Sequence, residues 1–195
     1  QEKNVVNAAI AKMNLFLHGA SDFNVMQGDT LRDPKILQGG NIAKFDCVIA
    51  NPPFSLENWG ATEWSSDKYK RNIYGTPSDS CGDYAWIQHM VCSMSSGKGR
   101  MAVVMPQGIL FRGNQEAEIR KQLVESDLIE AVVTLGDKLF YGTGLSPCFL
   151  IIRRMKPAHH SGRILMIDGS KILTQKRAQN VLEENDIERL YSLYQ

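Results

Sequence analysis

The 195-residue sequence has no CxxC pair, no long apolar run, no large net charge and no internal repeat. Each absence removes a class of function. Lys+Arg number 22 against 21 Asp+Glu, for a net charge of +1, which excludes a strongly basic nucleic-acid coat and an acidic tail. Binding to a polyanion must therefore come from a local patch or from a partner. No run approaches the roughly 18 apolar residues of a membrane span, and no basic segment followed by an apolar stretch opens the chain. Cys47, Cys81, Cys92 and Cys148 lie far apart. Cys47 and Cys148 sit inside apolar runs, which points to reduced core residues in a cytoplasmic protein. What is present is 43% hydrophobic content, enough for a domain with a core.

Val6, Ile10, Met13 and Leu17 recur at helical spacing, and His18-Gly19 supplies a stop. Asn24 to Gln27 is a short strand candidate, and 31–44 reads as a connection. Phe45 to Ala50 is a compact apolar run that Asn51-Pro52-Pro53 ends. A stretch of about 28 residues follows, from Ser55 to Gly82, well beyond ordinary connection length. Asp83 then caps a helix bearing Tyr84, Ile87, Val91 and Met94. Met101 to Met105 is a buried strand, Asn114 opens a helix to about Glu125, and Leu128–Leu135 and Cys148–Arg153 are further strands. Strand–helix alternation implies a mostly parallel sheet with covering helices. The join without a helix before Cys148–Arg153 implies that this last strand is antiparallel. Arg163 to Asp168 adds a possible edge strand. Asn185 with Glu188 forms a capping box for a final helix carrying Ile187, Leu190, Tyr191 and Tyr194. The expected division is 1–155 for the main domain and 156–195 for the edge strand and helical extension.

The strongest chemical signal is Asn51-Pro52-Pro53-Phe54. Ligands of open parallel sheets bind at the carboxyl ends of strands, where these residues fall. The Asn51 side-chain oxygen and the Pro52 carbonyl are two acceptors on a backbone that the second proline stiffens. Two convergent acceptors suit an –NH2 group on a planar ring or an amide, and Phe54 offers a flat face for stacking. The plain alternative is a proline turn with Phe54 in the core.

Asp46 to Phe54 resembles the catalytic motif of amino-group methyltransferases that use S-adenosylmethionine. Further stretches narrow the resemblance: Met13-Asn14-Leu15, Leu17-His18-Gly19, Gly28-Asp29-Thr30-Leu31, Asp83-Tyr84-Ala85-Trp86 and Gln88-His89-Met90. Leu110-Phe111-Arg112-Gly113, Glu118-Ile119-Arg120 and Leu139-Phe140-Tyr141-Gly142-Thr143-Gly144 complete the set. Together they resemble the modification (M) subunit of type I restriction–modification systems, which methylates N6 of adenine in double-stranded DNA. The resemblance implies a Rossmann-like α/β fold and S-adenosylmethionine as cofactor. It implies a DNA substrate, specificity (S) and restriction (R) subunits, and a second M subunit as partners. Asn51 and Pro52 would hold the adenine amino group, and Phe54 would stack on the extruded base. Phe140 or Tyr141 would support that base from another side. Glu2 matches the carboxylate that binds the cofactor ribose, and Asp29, beside Thr30, the one that accepts from its adenine.

The family also carries a Gly-rich turn after its first strand, where the backbone approaches the cofactor. Gly97-Lys98-Gly99 is a decoy, because it precedes a strand instead of following one. The resemblance therefore places the turn upstream of Gln1, and the chain reads as the later part of a larger domain, inactive alone. Adjacent His159 and His160 cannot share one ligand-facing side, so no metal site is expected. His89 reads as a packed histidine. Lys68, Lys70 and Arg71 beside Tyr69 either contact phosphates or form a solvated loop. The final helix is either a subunit contact or core. Rival readings are the same chemistry on an RNA base or a protein glutamine, and a non-catalytic docking module.

Overall fold

The computed structural model of the protein describes residues 1–140 and 144–195. Helix α1 spans Val5–Leu17, and the Asn4 side chain caps it by accepting from the amides of Val6 and Asn7. Its apolar side chains face outward among the described residues: Val6, Ile10, Met13 and Leu17 are all more than half exposed, and Ala8 alone is buried. The 24–27 stretch contributes a single parallel bridge, Gln27 to Glu2, instead of a strand. The 31–44 connection contains a hairpin that the sequence reading missed, β1 (Leu37–Gln38) with β2 (Asn41–Ile42). Gly39 and Gly40 turn it with φ of +57° and +78°, a conformation that suits glycine at both positions of a tight hairpin.

Strand β3 is Cys47–Ala50, followed by the short helix α2 (Ala61–Ser65) inside the long connection. Helix α3 (Asp83–Ser93), strand β4 (Arg100–Pro106), helix α4 (Asn114–Glu125) and strands β5 (Ile129–Leu135) and β6 (Pro147–Arg153) come next. Strand β7 (Leu165–Gly169) and helix α5 (Glu184–Tyr194) close the chain's described elements. The sheet order is β3-β4-β6-β5-β7. Strands β3 and β4 are parallel, as are β5 and β7, while β6 runs antiparallel to both β4 and β5. The expected mixed sheet is therefore present, with its antiparallel strand wedged between parallel neighbours.

Alternate residues of the strands feed two cores. Met101, Val103, Met105, Leu150 and Ile152 pack with Ile87 and Val91 of α3 and Ile119 and Leu123 of α4. Val133, Leu135 and Ile167 pack with Leu190 of α5 on the other face. Each fully buried aliphatic side chain contributes about 1.5–3 kcal/mol.

Three expectations need correction. Cys47 is exposed, because β3 is the outer strand of the described sheet and only every second residue turns toward the layer of helices. Cys148 is buried as expected, and burial pushes its thiol up to about 12, so it stays protonated. The capping box of α5 is Glu183 with Asp186, since Asp186 reaches back to the Glu183 amide and also accepts from Thr174. Asp83 does not cap α3; Gly82 occupies that position and the Asp83 carboxylate points elsewhere. The Gly97–Gly99 decoy has its own structural reason: a Cβ on Gly99 would sit 2.5 Å from the Ser95 carbonyl oxygen. Among the described residues, no helix is long and apolar enough to cross a membrane.

Candidate active site

The carboxyl ends of β3, β4, β5 and β7 share one edge of the sheet, and the connections after β3, β4 and β5 rise from it. Asn51 follows Ala50 directly. Pro52 is buried, Asn51 and Pro53 are exposed, and Phe54 is partly buried. Among the described residues the Asn51 amide has no hydrogen-bond partner, so its oxygen is free to accept.

The turn is braced from behind. Ser55 has a φ of +50°, a left-handed conformation uncommon for serine, and its amide donates to the Asp83 carboxylate at 2.7 Å. That carboxylate is fully buried and pairs with Arg112 at 2.6 Å. Arg112 in turn pairs with Glu116 at 3.0 Å. The Tyr84 hydroxyl donates to the Ile109 carbonyl at 2.7 Å, and Arg120 donates to the carbonyls of Ile109 and Arg112. Burial pushes the Tyr84 hydroxyl up to about 12, so it remains a donor at neutral pH. The stretches 83–86, 110–113 and 118–120, noted for their resemblance, thus form one polar frame around the turn.

In front of the turn lies a cleft of 570 Å³, whose lining includes Glu2, Asp29, Thr30, Asn51, Pro52 and Trp86. Glu2, Asp29, Thr30 and Asn51, expected to bind one cofactor, therefore share one cleft. Glu2 accepts from the Asn4 amide at 2.8 Å. Asp29 accepts from the amides of Leu31 and Arg32 at 3.1 and 3.2 Å and pairs with Lys3 at 3.0 Å. Burial pushes the Asp29 carboxyl up, but Lys3 and the two amides outweigh it and hold the group below its usual range. Asp29 is thus ionised at neutral pH, and a carboxylate has lone pairs beyond these three contacts. Apolar walls from Pro34, Ile36, Ile42 and Val48 complete a slot in which a flat heterocycle and a diol would fit.

Behind Pro53 the surroundings change. Phe54 and Phe140 stand outside this lining, with ring centroids 6.2 Å apart and planes at 73°. Tyr141 lies outside the described residues. The turn thus lines the cleft through Asn51, Pro52 and Pro53 and carries the next residue, Phe54, into an aromatic pair with Phe140.

The small basic group in the long connection does not behave as one unit. Lys68 lies 4.7 Å from the Tyr69 ring centroid and is exposed. Arg71 is 1% exposed, paired with Asp67 at 2.8 Å, so the phosphate contact left open for it is excluded. The signal for this was present: Asp67 and Arg71 are four residues apart, next to Trp64, whose ring lies 4.4 Å from the guanidinium. Arg71 also lies 3.2 Å from Nδ1 of His89. Arginine can only donate, so Nδ1 accepts and the ring proton sits on Nε2.

Burial, then Arg71, push His89 from 6.5 down to about 3. Below pH 6.5 the unfolded chain binds a proton that the folded chain refuses, so stability falls as pH falls. At about 1.4 kcal/mol per pH unit, lowering pH from 6.5 to 5 removes about 2 kcal/mol. Urea unfolding at pH 7, 6 and 5 should show this slope, and His89→Asn, whose oxygen can accept from Arg71, should flatten it. An unchanged slope in the variant would assign the effect elsewhere.

Residues 1–195 match the family model described as N-6 DNA Methylase. The type I restriction enzyme MjaVII methylase subunit of Methanocaldococcus jannaschii is 34% identical over 206 residues, covering all of this chain and 34% of that protein. The MjaVIII methylase subunit of the same organism is 36% identical, over all of this chain and 35% of its own length. The chain therefore spans about a third of these relatives. A crystal structure of a type I restriction-modification methyltransferase subunit from Streptococcus thermophilus superimposes with a TM-score of 0.87 at 29% identity, over 98% of this chain and 40% of that one. An acceptor-lined turn after a parallel strand, its polar frame and its facing cleft thus occur in a chain that matches one family model from end to end: the protein belongs to the N-6 DNA methylase family.

Proposed function

We propose that this chain carries the catalytic machinery of an adenine-N6 DNA methyltransferase of the type I restriction–modification kind. The observation that carries the reading is that Asn51 and Pro52 line a cleft with two carboxylates and stand directly before Phe54, which pairs with Phe140. S-adenosylmethionine supplies an electrophilic methyl group. Glu2 suits its ribose hydroxyls, and Asp29 with Thr30 suits its adenine edge. On the other side, an adenine must leave the duplex before its amino group can be reached. Phe54 offers a face on which that base stacks, and Phe140, nearly perpendicular, meets its edge.

The Asn51 oxygen and the Pro52 carbonyl accept from the two N–H groups of the amine. This directs the nitrogen lone pair away from the ring and toward the cleft. The rate gain is then largely positioning and charge placement, with no general base required before transfer, since the methylated nitrogen sheds its proton to water. The near-neutral charge fits a division of labour in which an S subunit supplies sequence recognition and most of the grip on DNA. An R subunit and a second M subunit complete the proposed assembly. The test is transfer of labelled methyl by the protein expressed from its full reading frame, with its S subunit, offered duplex DNA, RNA and protein. Label in N6-methyladenine of DNA is expected. Label only in RNA or in protein glutamine would overturn the reading.

A further inference from the structure

The long connection 55–82 reaches the cleft through a buried cation. Arg71 donates to the carbonyl oxygens of Thr30 at 2.9 Å and Leu31 at 2.7 Å. These two residues directly follow Asp29. The guanidinium is itself fixed: Asp67 accepts from its Nε and Nη2 at 3.0 and 2.8 Å, and also from the Arg71 amide. All five N–H donors of the side chain are aimed into a rigid fork, and Nη1 spans from Thr30 to His89 on α3. Arg32 makes the reverse link, donating from the turn to the carbonyls of Asn58 and Trp59. The Asp29–Arg32 turn and the long connection thus grip each other from both sides.

From this geometry we infer that Arg71 is a positioning residue for the adenine end of S-adenosylmethionine, acting through the Asp29–Leu31 turn; this rests on the reading of the cleft given above. Arg71 cannot touch the cofactor, being enclosed by Asp67, Trp64 and His89. Its two carbonyl bonds instead set where the Asp29 carboxylate stands. A shift of about 1 Å in such a carboxylate is enough to weaken recognition strongly. Burying a cation for this purpose requires full pairing, which Asp67 supplies; burial pushes the Asp67 carboxyl up, and Arg71 more than reverses this.

The test uses the protein expressed from its full reading frame, with its S subunit and duplex DNA. Arg71→Met should raise KM for S-adenosylmethionine about tenfold or more while kcat and KM for DNA stay within about twofold. Arg71→Lys, which keeps the charge against Asp67 and can reach one carbonyl, should recover part of the loss. Direct calorimetry with S-adenosylmethionine should show the same order of affinities. An unchanged KM, or a fall in kcat that follows the melting temperature with no change in KM, would overturn the proposal. If Arg71→Met does not fold, Asp67→Asn leaves the arginine in place with a weakened grip, and the same comparison decides. Absence of cofactor binding by the unaltered protein would sink the cleft reading and this inference together. Binding that is equal in the unaltered protein and in the variant would sink this inference alone.

Discussion

Asn51→Ala should lower kcat for adenine methylation by about 10²–10³-fold while leaving the unfolding midpoint unchanged. The magnitude is that of removing one pre-aimed polar contact from a developing charge. Loss of one acceptor frees one N–H of the amine, so the lone pair is no longer held on the line of attack. The Pro52 carbonyl remains, which limits the loss. Stability should not change because the Asn51 side chain is exposed and bonds no other described residue. Single-turnover methylation together with thermal unfolding checks both halves. Methylation at the unaltered rate would show that the turn is structural and would favour the docking-module reading.

Asp83→Ala should have the opposite signature, losing about 3 kcal/mol of stability along with activity. Removing one partner of a buried ion pair leaves the other uncompensated, and losses of about 3–5 kcal/mol are usual. The lower end applies because Arg112 keeps Glu116 and is 29% exposed. The Ser55 amide also loses its acceptor, and Ser55 holds a left-handed conformation that the Asp83 bond maintains. The Asn51–Phe54 turn is then free at its downstream end. Ser55→Ala, which keeps the backbone amide, should be nearly neutral, and denaturant unfolding of the two variants separates the effects. Equal stability of both would show that Asp83 does not hold the frame.

Asn51 and Asp83 differ in how far residue order alone reveals them. Asn51–Phe54 was legible because it is contiguous and punctuated by prolines after a strand, and α4 because its charged surface and apolar stripe are strictly local. Strand β6 was legible through a join that carries no helix pattern. Asp83 was misread: before a helix an aspartate suggests a cap, and only the fold shows that Ser55 and Arg112 take both its oxygens. Arg71 was misread for a related reason. Its neighbours Lys68 and Lys70 are exposed cations, and only the spacing to Asp67 hints at its pairing, whereas the carbonyls it grips lie 40 and 41 residues away in sequence. Cys47 reads as core in the sequence and is exposed in the fold, because an apolar run does not say whether a strand is central or outermost. Position in the sheet is a property of pairing order, and no single strand carries it.

That pairing order bears on assembly as well as on chemistry. Strands β4 and β5 share no ladder, and each is hydrogen-bonded instead to β6. Without residues 147–153 the sheet would part into two parallel ribbons, β3 with β4 and β5 with β7. Phe54 follows the first ribbon and Phe140 the second, so the two rings of the aromatic corner depend for their placement on one strand that carries neither of them.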